Sequence, residues 1–140
     1  MTVVDANLLI YAVDRGSRHH QRAKAWLDSA LSGAETVIFP WVCLLAFLRL
    51  TTQAGVFEEP LSVDQAVGVV EAWTSQPEAM LGIPGGRHIE LLRRLLTATG
   101  SGGNLVNDAH VAALALEHGA TVMTYDNDFG RFPGVRWRSP

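Results

Sequence analysis

A chain of 140 residues and 15.2 kDa is long enough for one compact core and too short for a separate substrate-binding domain or a repeat array. Hydrophobic residues make up 48% and charged residues 18%, which excludes a disordered chain and a fibrous one. Acids outnumber bases by 14 to 11, for a formal charge of −3, so the chain is not a generic basic nucleic-acid binder.

Thr2-Val3-Val4 is β-branched and leads to the apolar stretch Leu8 to Val13, which predicts a buried strand feeding a helix through Asp5-Ala6-Asn7. Met1-Thr2-Val3-Val4 lacks the basic start of a secretion signal. Ala23, Trp26, Leu27, Ala30 and Leu31 recur at helical spacing within 19–31, and Ser32-Gly33 ends that helix. Glu35 to Phe39 reads as a second buried strand. Pro40 then opens a helix over 41–53, apolar on nearly every face up to Leu48. Its run from Trp41 to Leu48 is the longest in the chain, well short of the roughly 20 residues of a membrane span. The single cysteine, Cys43, excludes a disulfide framework and a Cys-rich zinc site and reads as a small buried filler. A cytoplasmic protein is expected.

Ser62-Val63-Asp64-Gln65 has the capping-box pattern, with Ala66, Val69, Val70 and Trp73 on one stripe of the helix it opens, and Pro77 ends it. Ala79 to Ile83 predicts a short strand. Beyond Pro84-Gly85-Gly86, Ile89, Leu92, Leu95 and Leu96 mark the buried stripe of another helix, with Arg93 and Arg94 exposed. After the Gly-rich stretch Gly100 to Asn104, Val106-Asn107-Asp108 leads into Ala109 to Leu116, apolar all round, so Asp108 is expected to open a buried helix closed by Gly119. Thr121 to Tyr125 predicts a fourth strand ending in Asp126, and Val135 to Trp137 a fifth.

Strands that alternate with helices imply βαβ units and a mainly parallel sheet of four to five strands, covered on both faces in an α/β/α sandwich. Asp5 and Asp126 then end two strands on the rim where open α/β sheets hold ligands, and Asp108 is expected to meet them there. Three convergent carboxylates repel one another unless a cation lies among them, which points to a hard divalent metal such as Mg²⁺, with Mn²⁺ as a substitute. The chemistry that suits such an ion is phosphodiester hydrolysis. Taken singly, each aspartate has a local alternative as a helix cap or turn residue.

Four segments carry a resemblance: Val4-Asp5-Ala6-Asn7-Leu8-Leu9, Phe47-Leu48-Arg49, the run from Asn107 to Ala115, and Thr124-Tyr125-Asp126-Asn127-Asp128-Phe129. In that order and over essentially the whole chain, they resemble a PIN domain of the VapC-type toxins of bacterial toxin–antitoxin pairs. The resemblance implies a PIN-like three-layer sandwich, a metal-dependent endoribonuclease acting on RNA, a VapB-type antitoxin as its silencing partner, and a homodimer. It places Asp5, Asp108 and Asp126 at the family's metal positions, with Asp128 as a supporting acid. One position departs from it. Similar proteins carry a glutamate three residues before the helix arginine, and this chain has Ala46 there. That departure opens a second reading, a PIN-like RNA- or protein-binding module with little or no hydrolysis. A phosphatase fits less well, because Asn7 stands where its second aspartate belongs, and no Gly-x-Gly-x-x-Gly supports a dinucleotide site.

Around these acids, Arg49 lies on the same helical face as Ala46 and either grips a phosphate, pairs with Glu58 or Glu59, or faces solvent. Asn7 either serves the acids or caps the first helix, and Thr124 either holds a neighbouring carboxylate or is an ordinary strand residue. Arg15, Arg18, His19, His20 and Arg22 form either an RNA-approach patch or a solvated loop. His110 lies about 200° around its helix from Asp108, so packing or a hydrogen bond suits it better than the same ion. Arg136 and Arg138 are expected to point outward from the last strand, toward RNA or as guards of a sheet edge.

Overall fold

The computed structural model describes all 140 residues. Five strands form one sheet: β1 (Thr2–Val4), β2 (Val37–Pro40), β3 (Ala79–Gly82), β4 (Thr121–Met123) and β5 (Arg136–Arg138). The order across the sheet is β3-β2-β1-β4-β5, and every pairing is parallel. Six helices connect them: α1 (Ala6–Val13), α2 (His20–Leu31), α3 (Trp41–Thr51), α4 (Val63–Thr74), α5 (His88–Thr99) and α6 (Leu105–His118). The chain steps outward from β1 to β3 through α1–α4 and then back across the sheet to β4 through α5 and α6. With right-handed crossovers, the first four helices cover one face and the last two the other, the expected three layers. No helix is long and apolar enough to cross a membrane.

The core follows from the pattern. Val3, Val4, Val37, Ile38, Phe39, Val122 and Met123 are fully enclosed on the strands, as sheets covered on both faces require. On the α1–α4 face, Trp73 stacks on Phe39 and meets Phe47 edge-on, with centroids 6.4 and 5.0 Å apart. Gly82 lets β3 approach its neighbours closely, because a Cβ there would lie 3.1 Å from Ile38 Cγ2 and 3.2 Å from Leu114 Cδ1. Local signals also hold. Ser62 Oγ accepts from the Gln65 N–H and Gln65 Oε1 from the Ser62 N–H, closing the capping box of α4. Gly119 ends α6 in the left-handed conformation at φ 61°.

Four expectations need correction. β2 begins at Val37 rather than Glu35. α6 begins at Leu105, so Asp108 stands in its first turn and does not open it. β4 stops at Met123: the Thr124 N–H still donates to the Arg138 carbonyl at 3.0 Å, and the two N–H groups beyond it turn to side chains, Tyr125 N–H to Asn7 Oδ1 at 3.2 Å and Asp126 N–H to Thr124 Oγ1 at 2.9 Å. Asp126 therefore lies beyond the strand, where it caps a 3₁₀ turn over Asn127–Arg131. The buried stripe of α5 is His88, Leu91 and Leu95, and Ile89 is exposed. His88 is drawn inward by hydrogen bonds, its Nδ1 to Glu117 Oε2 at 3.0 Å and its Nε2 to His110 Nδ1 at 2.9 Å. His110 thus holds α6 to α5, a hydrogen-bonding role away from the acids, and burial with the neighbouring His88 pushes its pKa down.

Candidate active site

Between β1 and β4 the order of the sheet reverses: the chain leaves β1 toward β2 on one side, and β4 leads to β5 on the other. The loops after two such strands diverge and leave a crevice at their carboxyl ends. Asp5 follows β1 and Thr124 follows β4, so the reversal sets these two residues side by side at that end of the sheet.

Asp5 is nearly enclosed and held by four donors. Its Oδ1 accepts the Ala6 N–H at 2.7 Å, capping α1, and lies 3.9 Å from Cys43 Sγ. Its Oδ2 accepts Thr124 Oγ1–H at 2.7 Å and Asn7 Nδ2–H at 2.9 Å. Asn7 also lies 3.1 Å from Thr124 Oγ1. Thr124 and Asn7 thus lace the ends of β1 and β4 together, and both local alternatives for them give way to a shared role. Burial pushes the Asp5 carboxyl above the usual carboxylate range, although the Thr124 and Ala6 donors oppose the rise. Burial, with the charge of Asp5, pushes the Cys43 thiol well up, so it stays a neutral S–H.

Asp108 faces Asp5 across a pocket of about 200 Å³ whose wall includes Ala6, Val42, Cys43, Ala46, Asn104 and Asn107. No protein group within 4.0 Å pairs with it as a salt bridge. Burial, then the charges of Asp5, Asp126 and Asp128, push its pKa up to about 6. Asp126 is half-buried and its Oδ1 caps the Asp128 N–H at 2.8 Å. Asp128 is exposed, with Arg131 4.0 Å away.

The four aspartates therefore lie within electrostatic reach of one another, but not all of them line one cavity. Asp5 and Asp108 do; Asp126 and Asp128 stand outside its lining. No three His, Cys, Asp or Glu side chains are gathered tightly enough to share one ion as they stand, which corrects the expected three-carboxylate meeting. The reason lies in local bonding, since Asp126 is turned to its own 3₁₀ turn and Asp5 to its four donors. The donor set still suits a hard cation: two facing carboxylates, two asparagine amides beside them, and no lysine or arginine in the lining.

Arg49 does not join this pocket. It continues the exposed line of Trp41 and Leu45 along α3, with no acid within salt-bridge distance. Ala46, by contrast, does line it, so α3 brings a methyl group and the Cys43 thiol there rather than a carboxylate. Asn104 and Cys43 went unnoticed as site residues, the first because it follows a Gly-rich loop and the second because it lies in an apolar run. The one available signal for Asn104 was its place one turn before Asp108.

The PIN-domain profile matches residues 2–135. The chain belongs to the PIN-domain family. This PIN domain is 54% identical over 140 residues to Ribonuclease VapC37 of Mycobacterium tuberculosis, covering 100% of this chain and 97% of that one. It is 36% identical to Ribonuclease VapC33 of the same species, covering 100% and 98%. Among solved structures, it resembles Mycobacterium tuberculosis VapC20, described as a sarcin-ricin loop cleaving toxin, at a TM-score of 0.70 and 18% identity over 97% of this chain and 99% of that one. It also resembles VapBC2 from Rickettsia felis, bound to a DNA fragment from their promoter, at a TM-score of 0.68 and 17% identity over 99% and 98%. The structural likenesses establish the PIN fold, and the sequence likenesses span the whole PIN domain.

Proposed function

We propose that this PIN domain is an endoribonuclease toxin dependent on a divalent metal, held silent in its cell by a VapB-type antitoxin. The observation that carries the reading is Asp108: a half-buried carboxylate facing a second one across a small pocket, its pKa raised by burial and then by three other aspartates, with no basic side chain in the lining. The identity to proteins named as VapC ribonucleases adds RNA as the substrate class.

Asp5 and Asp108, supported by Asp126 and Asp128, would hold Mg²⁺ or Mn²⁺, which on binding polarises the phosphorus centre and lowers the pKa of the attacking water. The chain's own residues do the rest. Thr124, Asn7 and the Ala6 N–H fix the Asp5 carboxylate, so it need not reorganise when substrate arrives. Asp108, free of internal donors, is the acid able to turn toward a ligand. Asn104 and Asn107 add amide oxygens and N–H donors where the missing α3 carboxylate leaves the wall uncharged. We place the antitoxin, or a second copy in a homodimer, on the apolar exposure of α3, where Trp41 and Leu45 are 48% and 58% exposed one turn apart.

The test is cleavage of structured RNA by purified, antitoxin-free protein in Mn²⁺, beside Asp5→Asn and Asp108→Asn and beside excess chelator. Cleavage leaving 5′-phosphate and 3′-hydroxyl ends, reduced at least about 100-fold in each variant and in chelator, is the expected result, given that such groups supply several kcal/mol of transition-state stabilisation. Equal cleavage by all samples would mark a contaminating nuclease and remove the catalytic claim.

A further inference from the structure

Beside the acids lies a group of side chains that the proposed chemistry does not use. Tyr125, whose neighbours in the chain are Thr124 and Asp126, packs its ring against His19 at a centroid distance of 4.2 Å and edge-on to Tyr11 at 5.4 Å. Tyr11 and His19 close the triangle at 5.0 Å. All three rings are half-buried, so each keeps some surface in water. The Tyr125 hydroxyl is buried without a hydrogen-bond partner. Packing alone would be served by a phenylalanine, which lacks that unsatisfied group.

The charge around these rings is one-sided. Residues 15–27 contain Arg15, Arg18, Arg22 and Lys24 and no acid, in a chain whose overall charge is −3. The structure sorts these bases. Lys24 pairs with Asp28, and Arg15 lines a hollow with Asp14, Glu58 and Glu59. His20 is tied to the Tyr11 carbonyl at 2.9 Å. Arg18 and Arg22 are exposed and unpaired. Arg18 Nε–H lies 3.3 Å from His19 Nε2, and the Arg22 charge reaches the Tyr125 hydroxyl. A free guanidinium pair flanking partly open rings is the composition that binds single-stranded nucleic acid, with bases on the rings and phosphates on the arginines.

We infer that Arg18, His19 and Arg22, backed by Tyr11 and Tyr125, form the subsite that holds a single-stranded segment of the RNA next to the aspartates. The inference rests on the ribonuclease reading for its ligand. Position supports it, because the Tyr125 N–H is bonded to Asn7, which in turn holds Asp5. A strand resting on these rings therefore lies against the residue next to Thr124, which holds Asp5. Since the arginines meet phosphates and the rings meet bases, the subsite favours unpaired RNA over duplex, whose bases are stacked on each other.

The experiment measures binding and cleavage separately. Fluorescence anisotropy of a labelled single-stranded RNA 20-mer and its blunt duplex is followed in chelator, on the Asp5→Asn chain, across a salt series. Arg18→Gln with Arg22→Gln is expected to weaken single-strand binding about tenfold and to flatten the salt slope by roughly 1.4, two phosphate contacts at about 0.7 each. His19→Ala is expected to weaken it about tenfold with the slope unchanged, the signature of a lost stack, and His19→Phe to restore it. In the chain with Asp5 intact, the same changes raise KM and leave kcat within about twofold. Thermal melting of every variant accompanies the titrations, and Arg18 and Arg22 are exposed enough that their replacement leaves the fold intact.

Variants that cleave and bind as the parent does would overturn the subsite alone. A parent chain that cleaves no RNA in Mg²⁺ or Mn²⁺, yet binds the 20-mer through these residues, would overturn the ribonuclease reading and keep the subsite. Loss of antitoxin binding in the arginine variants, with RNA binding intact, would assign the surface to a protein partner and overturn the inference.

Discussion

Asp108 and Asp5 stand in an arrangement that costs the fold stability whenever both are ionised. An acid whose pKa is raised in the folded state binds its proton more tightly there than in the unfolded chain, so stability falls as pH rises through the interval between the two values. For Asp108 that interval runs from the ordinary carboxylate range to about 6. In chelator, the melting temperature is expected to fall between about pH 4 and pH 6, and Asp108→Asn to flatten that fall and raise the midpoint at pH 7 by a few degrees. A variant that melts with the parent's pH profile would show that the strain lies elsewhere. Thr124→Val makes the opposite kind of change. It keeps the shape but leaves Asp5 Oδ2 with Asn7 as its one remaining donor and strands the Asp126 N–H. A loss of about 1–3 kcal/mol in chemical denaturation is expected, together with reduced cleavage, because Asp5 is no longer fixed from the β4 side.

Among the elements, the capping box and the tight approach of β3 are the places where one side chain decides a local structure. Ser62→Ala is expected to cost about 1 kcal/mol in denaturant unfolding and leave cleavage unchanged, since α4 contributes nothing to the acid pocket. Gly82→Ala pushes a methyl group against Ile38, Leu114 and the Pro40 backbone, and a loss of about 1–3 kcal/mol is expected by the same measurement. Such elements were legible because their signals are local: a Ser three residues before a Gln, a glycine after an apolar helix, β-branched runs between turns. What escaped was set by contacts far along the chain. The buried stripe of α5 keeps Leu95 as expected but takes His88 in place of Ile89 and centres on Leu91 rather than Leu92, because Glu117 and His110 draw His88 inward, and a spacing of three and four residues does not separate adjacent columns. β4 ends early because, once the Thr124 N–H has met the Arg138 carbonyl, the Tyr125 N–H turns to Asn7, 118 residues away in the chain. At the site, Asp5 was legible from its place just after β1, whereas Asp126, expected at the end of β4, lies beyond it in a turn that its own side chain caps. Arg49 misled because neighbours on a helical face diverge at its edge, leaving Ala46 in the pocket and Arg49 in line with Trp41 and Leu45.

For the molecule as a whole, the parallel sheet with its reversal between β1 and β4 explains why a chain of net charge −3 concentrates repulsion at one rim. A ligand that relieves this repulsion should stabilise the folded state by mass action. Mn²⁺ or Mg²⁺ at millimolar concentration is expected to raise the melting temperature by several degrees at pH 7.5 and by less at pH 5, where protons already occupy part of the acid set. Ca²⁺ tests whether charge alone suffices for the stability gain without supporting turnover. Equal shifts at both pH values, or none, would count against an ion at these aspartates.

The lacing of Asp5 by Thr124 joins residues 119 positions apart, and its timing during synthesis follows from that separation. Ribosomes deliver the N-terminal part first, at roughly 5–20 residues per second, so Asp5 emerges long before the threonine that fixes it. A nascent or prematurely released chain that lacks the last strands therefore carries Asp5 without the threonine that fixes it.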